Sequence, residues 1–215
     1  MDDEPEPPSL NIPEIRDYQR INSEVATLLD QGHPRIRLEG AEGQRLLASG
    51  LNGAWQATIE ILGRTGPELG AGLNAPGLVI LARGSTADGA GRGLRAGTLV
   101  ILGSAGDAAG YGQAGGLLIV DGPVGHRAGL AQSGGTLVVV GSTGRLPSDR
   151  RVGGYFFVCR GPLGPFPGRG SRGGRLIDLP ESRSILDPED AKAWDSARLS
   201  ASRWIGRSIS AEPGP

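Results

Sequence analysis

The sequence predicts an all-β protein in which one chain winds into a single-stranded parallel β-helix of about seven coils. Three observations predict this fold. Glycine accounts for 38 of the 215 residues, Gly84, Gly103, Gly122 and Gly141 recur every 19 residues, and each repeat ends in a short aliphatic run. A fixed period of this length is typical of a solenoid, in which each repeat stacks only on its neighbours.

Glycine also recurs inside each repeat. Counting the opening glycine as position 0, further glycines fall at positions 3, 7 and 13, with Ala87 as a small substitute at position 3. Because glycine accepts positive φ and leaves room for a neighbouring backbone, these positions predict corners where coils turn or approach closely. The predicted structural glycines are Gly103, Gly106, Gly110, Gly116, Gly122, Gly125, Gly129, Gly135 and Gly141.

The aliphatic runs at residues 98–102, 117–121 and 136–140 predict strands, because five residues between glycines are too few for a buried helix. Positions 15 and 17 are aliphatic in all three runs, so we expect them to point inward. Position 16 has the opposite parity and is nevertheless apolar. This stripe, a possible interface, consists of Val100, Ile119, Val138 and Phe157. It needs a cover, which is either a partner protein or the chain's own tail.

At the N-terminus, residues 1–13 are acidic and proline-rich, a composition that predicts disorder. A helix is expected from about residue 17 to residue 31. Its apolar residues fall on one face and Gly32 provides a stop. Because a solenoid must cover its first coil, we expect this helix to cap a β-helix domain at residues 14–180.

A helical tail is expected at residues 181–215. Asp187, Pro188 and Glu189 form a helix start, with a capping residue, a proline at the first position and an acid in the first turn. Trp194 begins an apolar face that we expect to lie on the solenoid wall or on another subunit. The last residues, from about 207 to 215, are expected to fray.

Composition excludes several classes of protein. The net charge of −1 gives no overall attraction to nucleic acid. A single cysteine, Cys159, excludes a disulfide framework, a cysteine-based zinc site and an iron–sulfur cluster held by this chain. The sequence has no apolar run long enough for a membrane span and no signal-peptide pattern at its start. We therefore expect a cytoplasmic protein. Cys159 has outward parity beside Arg160, which would lower its pKa, but no base adjoins it in sequence.

The polar residues best suited to catalysis or ligand binding fall at position 4. They are Asp88, Asp107, His126 and Arg145. In a regular stack they lie about 4.8 Å apart. They form either a small acid–base or ligand site, or a solvated corner whose charge pairs contribute about 0–1 kcal/mol each. We favour the corner, because sugar-cleaving β-helices gather more carboxylates on one face. No catalytic, cofactor-binding or metal-binding residue is predicted.

The late coils are basic, and Asp149 is the only acid between residues 141 and 175. Their arginines are Arg145, Arg150, Arg151, Arg160, Arg169, Arg172 and Arg175. Such a surface suits an anionic cofactor, an acidic partner or nucleic acid. Aromatic residues are too few for the stacking platform that binds single-stranded nucleic acid, so we expect no nucleic acid.

The repeat G-x-x-G-x-x-x-G-x-x-x-x-G-G followed by a five-residue strand, together with residues 21–51 and 103–130, resembles the GXGXG-motif β-helix family. Its best-known member is the β-helix domain at the C-terminal end of the glutamate synthase large subunit. The resemblance implies a right-handed β-helix that braces catalytic domains and has no catalytic residues of its own. It places FMN and iron–sulfur clusters in partner subunits and none in this chain.

The resemblance therefore predicts an accessory subunit of a glutamate-synthase-like oxidoreductase or amidotransferase complex, acting in nitrogen metabolism. Its partners would be an amidotransferase or an FMN-containing synthase. One alternative within the family is the β-helical subunit of a formylmethanofuran dehydrogenase or formyltransferase/hydrolase complex. Two alternatives lie outside it: a carbohydrate-active β-helix enzyme, and a homo-oligomeric scaffold that associates through the position-16 stripe.

Overall fold

The computed structural model, which describes residues 6–179, 186–207 and 209, is a parallel β-solenoid. Strands β1 to β9 form one sheet in chain order, and every neighbouring pair is parallel. The strands are β1 (Ser9–Asn11), β2 (Arg35–Glu39), β3 (Ala57–Ile61), β4 (Asn74–Ala82), β5 (Ala96–Ile101), β6 (Ala114–Val120), β7 (Gly134–Val139), β8 (Tyr155–Val158) and β9 (Arg175–Asp178). The helices are α1 (Ile12–Ile15), α2 (Tyr18–Asp30) and α3 (Pro188–Ile205). The predicted all-β parallel fold is confirmed.

The sequence period is the pitch of the solenoid. Thr98 pairs with Leu117 and Leu117 with Thr136, which are successive steps of 19 residues. The eight strands from β2 to β9 enclose seven coils. A second line of single parallel bridges runs along another side of the coils, through Thr65, Thr86, Ala105, Val124 and Thr143. The coils are therefore bonded to one another on more than one side.

The interior is the aliphatic column that the strand parity predicts. Leu99, Leu118 and Leu137 at position 15 are completely buried, as are the residues at position 17. Phe156 continues the position-15 column into β8 and is also completely buried. This confirms which face of the strands points inward.

The N-terminal helix caps the first coil. Asp17 accepts a hydrogen bond from the Gln19 backbone N–H at 2.9 Å and so begins α2, which buries Ile21, Val25 and Leu29. Asn22 fixes the helix to the coil below, because its Nδ2 donates to the Leu46 carbonyl and its Oδ1 accepts from the Ala48 N–H, both at 2.8 Å. The apolar edge of the first coil is thereby covered.

The expectation of disorder over residues 1–13 is wrong for the part that the structure describes. Ser9–Asn11 forms β1, which pairs with β2, and Ile12 is 2% exposed at the start of α1. Leu10 and Ile12 supply apolar side chains that composition alone hides among acids and prolines. The solenoid therefore begins before residue 14, while residues 1–5 lie outside the described part of the chain.

Helix α3 covers the position-16 stripe. Val100, Ile119, Val138 and Phe157 are completely buried in a second apolar cluster that also contains Trp194, Ala197 and Ala201 from α3. The helix of 18 residues is about 27 Å long, which is enough to cross five strand spacings of about 4.8 Å, or about 24 Å in all. Of the two covers that the sequence allows, the chain's own tail is present, so these four residues are not a free interface.

The tail returns along the outside of the solenoid. The Tyr155 hydroxyl donates to Glu189 at 2.9 Å near the start of α3, and Arg207 bonds to Asp121 at 2.5 Å beyond its end. Ile209 is completely buried, and its N–H donates to the Ser202 hydroxyl. The expectation that residues 207–215 fray is wrong at Arg207 and Ile209, and residues 208 and 210–215 lie outside the described part.

Candidate functional site

The position-4 residues form a hydrogen-bonded ladder up one exposed corner of the solenoid. Asp88 Oδ1 accepts from the Asp107 backbone N–H at 2.8 Å, and Asp107 Oδ1 accepts from the His126 N–H at 2.7 Å. His126 Nδ1 then accepts from the Arg145 N–H at 2.9 Å. The structure thus brings together all four of the candidate polar residues, and each acceptor bonds the backbone of the next coil.

The glycines at position 3 make room for this ladder. A Cβ on Gly144 would lie 2.6 Å from His126 Nδ1, and a Cβ on Gly106 or Gly125 would lie closer still to the aspartate oxygen below it. Ala87 is the exception at position 3. The residue beneath it is Pro67, whose side chain offers no acceptor. Glycine at position 3 therefore leaves room for the acceptor side chain of the preceding coil, which bonds the backbone and holds the two coils together.

The remaining structural glycines serve two purposes. Gly110, Gly116, Gly129 and Gly135 have positive φ between 62° and 70°. Those at position 0 instead allow close backbone approach, since a Cβ on Gly122 would lie 2.9 Å from the carbonyl carbon of Gly103. Both purposes belong to coil stacking.

The groove beside the ladder is open and its charges are largely compensated. It has a volume of about 480 Å³, and its lining includes Arg45, Glu68, Asp88, Arg92 and Tyr111. Arg92 bonds to Glu68 at 2.7 Å and its guanidinium lies 5.6 Å from the centre of the Tyr111 ring. Among the residues that the structure describes, no group of three or more His, Cys, Asp or Glu side chains is arranged to hold a metal ion.

The ladder predicts a graded response to substitution of Asp107. We expect Asp107→Ala to lower the free energy of unfolding by about 1 kcal/mol, because the His126 N–H loses its acceptor while remaining accessible to water. Asp107→Asn keeps an oxygen acceptor at the same place and is the matched control, with a loss of about 0.5 kcal/mol or less. Urea unfolding of the three proteins measures both values. Equal losses in the two variants would contradict a role in hydrogen bonding.

Cys159 is buried, contrary to the expectation from its outward parity. Its side chain is completely inaccessible and belongs to the cluster beneath α3. Burial raises the pKa of the Cys159 thiol to about 12, against an ordinary value of 9.0, and the opposing effect of Arg160 is smaller. The thiol therefore stays protonated and shielded, which does not suit a nucleophile.

We expect Cys159 to react with a disulfide reagent at about pH 8 at least a hundredfold more slowly in the native protein than in urea, because burial lowers its thiolate fraction and blocks access. The raised pKa of the Cys159 thiol also makes stability depend on pH. The buried, protonated thiol contributes its full stabilisation below the pKa of the unfolded chain, near 9, and this stabilisation is lost as the pH rises towards about 12. Labelling kinetics followed by absorbance test this, and rapid labelling of native protein would refute it.

A second groove lies between the outer face of the first strands and the end of α3. Its volume is about 340 Å³, and it is lined in part by Arg37, Glu60, Arg83, Leu81 and Trp204. Glu60 bonds to Arg83 at 2.7 Å and to Arg37 at 3.3 Å. Burial alone would raise the pKa of Glu60, but the two arginines outweigh it and lower that pKa. The carboxylate is therefore already neutralised within the chain.

A buried polar column at position 10 was not predicted from the sequence. Gln113 and Gln132 are completely buried, and Gln113 Nε2 donates to the Gly115 and Thr136 carbonyls at 3.0 and 3.1 Å. Arg151 continues this column with 5% of its surface exposed, and its Nε and Nη1 have no hydrogen-bond partner among the described residues. Burial, and then the charge of Arg175, lower the pKa of Arg151. Alignment of position 10 across the repeats would have revealed the column.

The basic late coils are not one uniform surface. Arg175 joins β9 to the start of α3 by pairing with Asp187 at 2.5 Å and with Asp190. Asp187 also accepts the Asp190 backbone N–H, which together with Arg175 lowers the pKa of its carboxyl. Arg145 lies 5.7 Å from the centre of the Phe166 ring. Arg175 is therefore a structural residue, whereas Arg169 and Arg172 are exposed and have no carboxylate partner in the part of the chain that the structure describes.

No protein-family model matches the sequence, and no curated protein matches it either. No helix in the described ranges has the length and apolar character needed to cross a membrane.

Proposed function

We propose that this chain is a non-catalytic accessory subunit of a cytoplasmic, glutamate-synthase-like oxidoreductase or amidotransferase complex, in which it braces the catalytic subunits. The observation that carries the proposal is the position-4 ladder. Asp88, Asp107 and His126 are the candidate acid–base groups, and each is bound to the backbone of the next coil. These side chains hold neighbouring coils together, which is a structural role and supports a scaffolding function.

The repeat pattern supports the glutamate-synthase type of complex. The glycines that carry the resemblance stand at positions where the coils turn or touch, so the resemblance rests on residues that build the solenoid. In that family the β-helix braces catalytic domains, while FMN and iron–sulfur clusters are bound elsewhere. We assign those cofactors to the partner subunits.

The test is purification of the tagged chain from its native host, followed by mass spectrometry and by measurement of the mass of the complex. We expect an amidotransferase or an FMN-containing synthase subunit in fixed stoichiometry. Formylmethanofuran-type subunits would favour the alternative complex. A chain that elutes alone at monomer mass would refute the role of accessory subunit.

The carbohydrate-active alternative has less support. Its candidate carboxylates, Asp88 and Asp107, each use Oδ1 to accept a backbone hydrogen bond. Calcium-dependent cleavage of a polysaccharide that disappears in Asp88→Ala would reverse this preference.

A further inference from the structure

The two ends of the solenoid are finished differently. At the N-terminal end α2 covers the first coil, whereas β9 has no strand paired to its outer edge among the described residues. Thr143, Leu146 and Arg150 donate their backbone N–H groups to carbonyls of the last coil, at 3.1, 2.8 and 2.8 Å. The equivalent N–H groups of the last coil belong to Leu163, Phe166 and Gly170 and have no acceptor within the described residues. Within the described ranges, the last coil thus presents an open hydrogen-bonding edge.

Apolar side chains are exposed at the same end. The position-15 column is completely buried from Leu99 to Phe156, but Leu176, which pairs with Phe156 in the last coil, is only partly buried. Leu163 is also partly buried, and Phe166 is 59% exposed. The end repeats of a solenoid need a polar outer face for solubility, and these three side chains leave part of this face apolar.

The open end is also positively charged. Arg150, Arg169 and Arg172 are exposed and have no carboxylate partner among the described residues. Beneath them lies Arg151, a buried guanidinium with two nitrogens that lack partners within the described chain. Charged side chains are rarely buried without a partner, so this end is suited to receive negative charge.

We infer that the last coil is the docking face for an extended acidic segment of a different protein. The segment would accept hydrogen bonds from the N–H groups of Leu163, Phe166 and Gly170 along the outer edge of the last coil, while its carboxylates pair with the arginines. This inference rests on the proposed function and names the surface through which the accessory subunit joins its complex.

A second copy of this chain does not suit the surface. Two such ends facing each other would bring arginines against arginines, and like charges oppose association. The opposite end of the solenoid is no better, because Pro7, Pro8 and Pro13 flank β1 and proline cannot donate a hydrogen bond to a strand edge. The occupant is therefore a different chain.

The experiment uses the tagged full-length chain expressed in its native host, with two matched double variants. Arg169→Glu/Arg172→Glu reverses charge on the last coil, and Arg64→Glu/Arg95→Glu makes the same change at exposed arginines of earlier coils. We expect wild type and the second variant to co-purify the same stoichiometric partner, and the first variant to lose it by about tenfold or more. Thermal unfolding verifies that both variants fold.

A photo-crosslinking residue supplies an independent readout. We expect it to capture the partner from position 166 but not from the control position Leu199, which is 63% exposed on α3. If the last-coil variant keeps its partner and crosslinks form only at Leu199, the inference fails while the accessory role stands. A chain that purifies alone refutes both. Self-association that the last-coil variant abolishes would identify a second copy as the occupant and overturn the inference.

Discussion

Replacing Gly135 with alanine is expected to lower the free energy of unfolding by about 3 kcal/mol or more. Gly135 has a φ of +69°, and a Cβ there would lie 2.5 Å from the Gly115 carbonyl carbon and 2.7 Å from the Gly116 carbonyl oxygen. Both neighbours are backbone atoms of the preceding coil, so relief of the clash requires the coils to separate. Urea unfolding followed by circular dichroism measures the loss.

Gly112→Ala is the control for this substitution. Gly112 has a similar φ of +63°, but no atom lies within 4 Å of the added Cβ. Only the backbone strain remains, at about 1 kcal/mol. If the two variants lose the same stability, close contact between coils is not what requires glycine at position 13.

Trp194→Ala is expected to cost about 3 kcal/mol, since removal of a large buried aromatic side chain leaves a cavity. Trp194 is 8% exposed, and its ring centre lies 5.2 Å from that of Phe157 in the position-16 stripe. We also expect faster hydrogen exchange in α3, because the helix loses its main anchor on the solenoid wall. Mass-spectrometric exchange and urea unfolding test the two effects.

Leu199→Ala provides the comparison on the same helix. Leu199 is 63% exposed on the opposite side of α3, so its truncation should change stability by about 0.5 kcal/mol or less. A similar loss in both variants would contradict the role of Trp194 as the anchor of α3, because helix propensity alone predicts no loss on substitution by alanine.

The arrangement of the coils was predictable from the sequence because the same 19-residue spacing repeats along the chain. The 19-residue spacing fixes which residues stack, and alternation along a strand then fixes which of them point inward. Leu99, Leu118 and Leu137 are buried for that reason. The stacking of Asp88, Asp107 and His126 follows from the same spacing, although their hydrogen bonds to the next backbone do not.

Other features depend on contacts that a repeat does not encode. The sequence contains both the position-16 stripe and the apolar face of α3, but nothing in the repeat determines whether the two pack on each other or on another chain. Left-handed backbone at Ala108, Arg127 and Leu146 is imposed by the turn of each coil and has no residue signature. The burial of Cys159 follows from the position of α3 and reverses what its parity indicated.

The return of the tail along the solenoid has a consequence for how the protein unfolds. In a linear array, each coil contacts only its immediate neighbours, so the end coils can unfold while the middle coils stay folded. Helix α3 shares one apolar cluster with side chains from Leu81 in β4 to Ile177 in β9. It therefore couples the unfolding of six successive strands. With the helix in place, those strands should melt in a single step. Without it, the same coils should melt progressively from the uncapped end.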